Sequence, residues 1–226
     1  MSATERVSAF LVASAAFVLL TATSAGAQVP TAGSWEFTGG VVYVGGFDIG
    51  PLAAELTPNS GTTGRITLFD TDSRVKPSPG VLAKIGVFLS PSFALEGGLR
   101  YTRPVFETDI SGDFEEADDL TAEQTLSQYL FDVTAVWHFR GSGDARTMPF
   151  VYGGGGYLRE LHEGNALVED GIEFHAGGGV KWWFGASARW GFRAQGGISA
   201  RDGSEFEPEK KRRVIPEASG SIVWVF

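Results

Sequence analysis

The chain has 226 residues, of which 43% are hydrophobic and 20% charged, with 18 Lys and Arg against 27 Asp and Glu and a net charge of −9. That length suits one domain, and the negative balance argues against nucleic acid as a partner. With no cysteine present, stability in an oxidising compartment has to come from closure of a sheet rather than from disulfides.

The amino terminus reads as an export signal. Arg6 precedes an apolar run from Ala9 to Leu20, and Ala25-Gly26-Ala27 supplies a small-residue cleavage site. Residues 1–27 are therefore expected to be a cleaved signal peptide and residues 28–226 the mature domain. The run is shorter than the roughly 20 residues a membrane-spanning helix needs. Any crossing of a membrane must then be made by strands. Mean hydropathy is near zero, but in a transmembrane barrel only alternate residues meet lipid, so the average hides the pattern.

Period-two reading finds eight segments of about 9 to 11 residues, the length of a tilted transmembrane strand. Their apolar faces, in chain order, begin with Phe37, Val41, Tyr43; then Ala83, Ile85, Val87, Leu89; then Phe93, Leu95, Leu99, Tyr101; then Tyr129, Phe131, Val133, Ala135, Trp137, Phe139. A fifth, glycine-rich segment from Phe150 to about Leu161 has an ambiguous register. Ile172, Phe174, Val180, Trp182 and Phe184 follow. Next come Trp190, Phe192, Ala194, Ile198 and Ala200, and finally Trp224 and Phe226. Short connections at Ser90-Pro91-Ser92, Gly185-Ala186-Ser187 and 140–148 alternate with long ones at about 48–79, 103–122, 162–171 and 202–213. That is the arrangement of short periplasmic turns and long outer loops. The pattern predicts an all-β, eight-stranded, antiparallel, up-and-down transmembrane β-barrel. Gly64 to Phe69 is a candidate extra strand; a ninth would need a tenth, for which Phe47 to Leu56 is a poor candidate.

All six tryptophans fall near ends assigned to the periplasmic side, whereas Tyr43, Tyr101, Tyr129 and Tyr157 fall toward the other. Two aromatic belts one strand apart are what a bilayer selects. The opposite face carries Glu36, Lys84, Glu96, Arg100, Asp132, Glu173, His175, Lys181, Arg189, Arg193 and Arg201 among glycines such as Gly86, Gly98, Gly177 and Gly197. Bulky charges beside small neighbours suit a crowded interior, which eight strands make just wide enough to fill with side chains. Buried charges must pair. Arg189, Arg193 and Arg201 are expected to reach carboxylates among Glu36, Glu96, Asp132 and Glu173, with Glu173 the partner of Arg201, and so to plug the lumen.

The runs Pro149 to Tyr157, His175 to Trp183 and Arg189 to Arg193, with the terminal Phe226, resemble the small outer-membrane β-barrel family typified by OmpA-like transmembrane domains and OmpX-like proteins. The likeness spans Trp35 to Phe226. It implies the outer membrane of a Gram-negative-type bacterium, reached by export to the periplasm, and recognition by the assembly machinery through the strand ending at Phe226. Because nothing follows Phe226, a peptidoglycan-binding domain is not expected.

Function is expected in the loops. Lys210, Lys211, Arg212 and Arg213 stand where the last strand re-enters the membrane, level with anionic lipopolysaccharide head groups, and form a candidate phosphate-binding tetrad. Glu107, Asp109, Asp113, Glu115, Glu116, Asp118 and Asp119 make the second long loop acidic, without the spacing of a calcium loop. Glu173, His175 and Ser199 lie near one another on facing strands and compose the residue set of an activated serine, though no motif surrounds Ser199. His162 reads as a solvated loop histidine and His138 as a lumen or rim residue. No catalytic residue, metal or cofactor is assigned and no enzymatic activity is expected. The primary reading is a monomeric barrel with a structural or surface-interaction role and a salt-bridge-plugged lumen, in contact with outer-membrane lipids and lipopolysaccharide. A low-conductance, porin-like pore for small solutes and a lipid-modifying enzyme are the alternatives.

Overall fold

A computed structural model describes residues 30–56, 66–115, 117–139, 146–162, 168–184, 189–201 and 212–226. The signal peptide, the Gly185 turn, and Lys210 and Lys211 of the basic tetrad lie outside the described residues.

Eleven strands are present: β1 (Trp35–Val44), β2 (Phe47–Leu56), β3 (Ile66–Val75), β4 (Ser78–Ser90), β5 (Phe93–Thr102), β6 (Val105–Ser111), β7 (Leu120–His138), β8 (Thr147–His162), β9 (Val168–Phe184), β10 (Trp190–Arg201) and β11 (Arg213–Val225). Eight of them close a cylinder in the order β1, β4, β5, β7, β8, β9, β10, β11, with β11 pairing back onto β1 and every pairing antiparallel. Each coincides with one of the eight predicted segments. Closure leaves no barrel edge, which is what lets backbone polar groups survive in lipid without water.

Side-chain direction follows the predicted alternation. Ile198, on the outer face of β10, is 51% exposed while its neighbour Ser199 is fully buried. Phe37, Val41, Ile85, Leu95, Phe131, Val133, Ile172, Phe174 and Ile222 likewise stand on the exposed face. A continuous apolar girdle of this size is stable only against lipid. At the end where β10 begins, Trp190 stacks on Trp224 with centroids 5.8 Å apart. Trp224 in turn meets Phe226. At the other end Tyr101 packs on Tyr129 at 4.9 Å.

The remaining three strands correct the reading of the long loops. β2 and β3 form a hairpin, β3 pairs with β6, and β6 pairs with the first turnward stretch of β7. These strands do not enter the barrel wall. They prolong half of it: β2 continues β1, β3 leads into β4, and β6 continues β5, across kinks at Gly45-Gly46, Lys76-Pro77 and Arg103-Pro104. The barrel count stays even because the additions lie beyond its rim. β6 was expected to be acidic loop. Its alternation of Phe106, Thr108 and Ile110 with Glu107 and Asp109 is a strand pattern that the run of charge masked.

Candidate functional site

The lumen is packed in layers. At the end nearest the tryptophan belt an apolar plug is made by Phe88, Ala94, Val136, Met148, Phe150, Tyr152, Trp183 and Val223. His138 is buried within it, stacked 5.3 Å from Phe88. This layer departs from the expectation of a polar interior. Trp183 alternates with the outward Trp182 and therefore points inward, so five indoles, not six, remain for the outer surface of that belt.

Above the plug sits a quartet of buried charges. Lys181 Nζ donates to both oxygens of Glu36 at 2.7 and 2.8 Å. Arg193 Nη1 donates to both oxygens of Glu96 at 2.8 and 2.9 Å. The pairs are cross-linked by Lys181 to Glu96 at 3.7 Å and Arg193 to Glu36 at 3.8 Å. Arg193 also donates through Nε to Gln195 at 2.7 Å and lies 4.6 Å above the Phe150 ring. With two carboxylates facing two cations, the quartet is neutral, the condition for burying four charges at all.

A second layer follows. Arg100 bridges Glu173 at 2.6 Å and Glu217 at 2.7 Å. Lys84 lies 3.8 Å from Asp132, which accepts a hydrogen bond from Thr134 at 2.7 Å. The glycines make room for these chains: a Cβ added at Gly98 would stand 2.7 Å from Asp132 Oδ2, one at Gly86 2.9 Å from Glu96 Cγ, and one at Gly197 2.5 Å from the Tyr152 hydroxyl. At the outer mouth, Arg201 pairs with Glu160 at 2.6 Å, and Gln128 donates to the same carboxylate at 2.8 Å. The Phe47 ring closes this mouth between the guanidinium groups of Arg201 and Arg213, 4.3 and 4.6 Å away. Two cavities among these layers measure about 20 and about 10 Å³, room for single waters.

The predicted pairings are met only in part. Arg193 reaches Glu96 and Glu36 as expected. Arg201 is level with Glu173 in the strand register but bonds Glu160, while Glu173 is taken by Arg100. Arg189 precedes β10 and is exposed, outside the lumen. Glu160 and Glu217 were not read as inward. β8 had an ambiguous register, and the last strand starts at Arg213, seven residues earlier than the read segment beginning at Gly220, which brings Glu217 into the alternation.

His175 and Ser199 are direct cross-strand partners. The imidazole nevertheless turns away from the serine: His175 Nε2 lies 2.9 Å from Thr134 Oγ1 and 4.0 Å from Asp132. Ser199 Oγ is buried with no hydrogen-bond partner. The expected set is therefore adjacent in register but not assembled. His162 is half-buried at the end of β8, 3.3 Å from Gln124 Oε1, rather than free in a loop. Of the basic tetrad, Arg212 is exposed and Arg213 packs on Phe47.

The outer sheet carries its own charge cluster. Glu107 is bracketed by Arg74 and Lys76, Lys76 also reaches Glu123 at 2.8 Å, and Arg74 reaches Asp109 at 3.3 Å. Hydrogen bonds from Lys76 and then Arg74 hold the Glu107 carboxyl down to about 2 against the opposing effect of burial, where an unperturbed glutamate titrates near about 4.3. The same contacts push Arg74 and Lys76 upward.

A closed eight-stranded antiparallel cylinder with lipid-facing apolar residues, aromatic girdles and a charged, filled interior has the architecture of the small outer-membrane β-barrels. Solved structures agree. The outer membrane protein OprG from Pseudomonas aeruginosa superimposes with a TM-score of 0.52 at 10% identity, covering 88% of this chain and 99% of that one. Neisserial surface protein A gives 0.53 at 8% identity over 87% and 99%. At these identities what is shared is the fold. No protein-family model matches the chain, and no curated protein matches it.

Proposed function

We propose that the protein is a monomeric, non-conducting barrel of the outer membrane of a Gram-negative-type bacterium, whose work is to hold a rigid outer sheet and loops at the cell surface for structural or interaction purposes. On this reading it is exported to the periplasm and assembled through the strand ending at Phe226, and its outer rim meets lipopolysaccharide, with the 210–213 tetrad as one point of contact. The observation that carries the reading is the filling of the lumen. An apolar plug, a neutral four-charge quartet, the Arg100 bridge and the Phe47 cap are stacked in series. A solute path would have to break several at once, and opening the quartet or the Arg100 bridge leaves buried charges unpaired.

Planar-bilayer recording tests this directly. The wild-type protein is expected to give no steady channel. A large, continuous conductance from unmodified protein would defeat the closed-barrel reading in favour of a pore.

A further inference from the structure

Most cations of the described wall are paired. Lys84, Arg100, Lys181, Arg193 and Arg201 face inward and pair with carboxylates, and Arg74 and Lys76 pair on the outer sheet. Arg103 and Arg159 do not. Both are exposed and outward, as their buried neighbours Thr102, Pro104 and Leu158 require. Neither makes an ion pair among the described residues.

They flank the stacked tyrosines. Along one row of the wall Tyr101 pairs with Tyr129 and Tyr129 with Arg159. Arg103 stands two residues beyond Tyr101, on the same outward face where the barrel becomes the outer sheet. With β7 between β5 and β8, the two arginines are separated laterally by about 10 Å from strand spacing alone. Asp170 stands opposite Arg159 in the register. Tyr157 lies on the same outward face beside that carboxylate. Tyrosine rings mark the interfacial depth of a bilayer, where the lipid phosphates lie. Arginine is the side chain whose planar fork fits phosphate oxygens, two at a time.

We infer that Arg103 and Arg159, set about the Tyr101–Tyr129 stack, form a binding site on the outer wall for the phosphorylated head group of lipopolysaccharide. The inference rests on the membrane orientation proposed above. It adds a wall site to the loop tetrad: the tyrosines support the sugar and acyl junction while the two guanidinium groups hold phosphate.

The test is lipid binding by the full chain in detergent micelles, read by native mass spectrometry, with three probes: short-chain lipopolysaccharide, its dephosphorylated form, and phosphatidylglycerol. An interfacial arginine near anionic lipid is worth about a 5-fold change in affinity, so Arg103→Gln with Arg159→Gln is expected to weaken lipopolysaccharide binding about 30-fold. Dephosphorylated lipid should bind wild type as weakly as the phosphorylated lipid binds the double variant. Arg189→Gln, at the opposite rim, should bind as wild type does. Equal binding by wild type and the double variant, or indifference to the phosphates, overturns the site. Phosphatidylglycerol binding as tightly as lipopolysaccharide overturns the assignment of its source. A faster-migrating unboiled band on a gel certifies the barrel in every variant. Its absence from wild type would instead defeat the membrane-barrel reading itself.

Discussion

The lumen quartet of Glu36, Glu96, Lys181 and Arg193 and the outer cluster of Arg74, Lys76, Glu107 and Glu123 use the same charges on the same kind of antiparallel sheet. Their settings differ. All four lumen residues are buried, whereas Arg74, Lys76 and Glu123 have half-open side chains and only Glu107 is covered. In the lumen each ion has given up its water, so its partner is obligatory. On the outer face water can replace a lost partner, and the cluster tunes local titration more than it holds the fold.

Single substitutions separate the two networks. Arg193→Met leaves Glu96 and Glu36 facing Lys181 alone, an uncompensated buried charge, and is expected to lower stability by about 3–5 kcal/mol. Urea unfolding in lipid vesicles, followed by tryptophan fluorescence, measures it. Arg74→Met in the outer cluster should shift the same transition far less. Equal shifts would mean that the two networks are not distinguished by burial.

A cation placed on the outer face separates the barrel wall from the outer sheet. Ile198→Arg places a cation against lipid and should cost about 2–4 kcal/mol at mid-depth. Leu120→Arg, also an exposed apolar residue but on the outer sheet, should change stability by no more than about 0.5 kcal/mol. Comparable losses in vesicle refolding would remove Leu120 from water and put the outer sheet in the membrane.

The smallest effect is the titration of Glu107. Its folded pKa is depressed, so its contribution is complete above the unfolded value of about 4.3 and is lost as pH falls through about 2. Carbon NMR of the labelled carboxyl should show a midpoint near that lower value, rising toward the ordinary one in Lys76→Met. A wild-type midpoint near 4.3 would show that Lys76 and Arg74 do not grip it in solution.

Alternation, with the lengths of the connections, determined the barrel. Once Trp190, Phe192, Ile198 and their like occupy one side of a strand, a slip of one residue would drive every one of them into the lumen, so the inside of the wall is legible from residue order wherever the alternation is unbroken, as it is not in the glycine run of β8. Presence of charge in the lumen was legible for the same reason. Which charges meet was not. Arg201 and Glu173 are cross-strand neighbours, yet long side chains in a tilted, closed sheet reach across the lumen, and Arg201 found Glu160 while Arg100 took Glu173. The outer strands were hidden too, because β6 earns its place only by pairing with β3 and β7, and Glu107 is acceptable in a strand only once Arg74 and Lys76 lie beside it. Local pattern decides which face of a strand meets lipid; contacts between residues far apart in the chain exist only after the sheet has closed, and those choose the pairs.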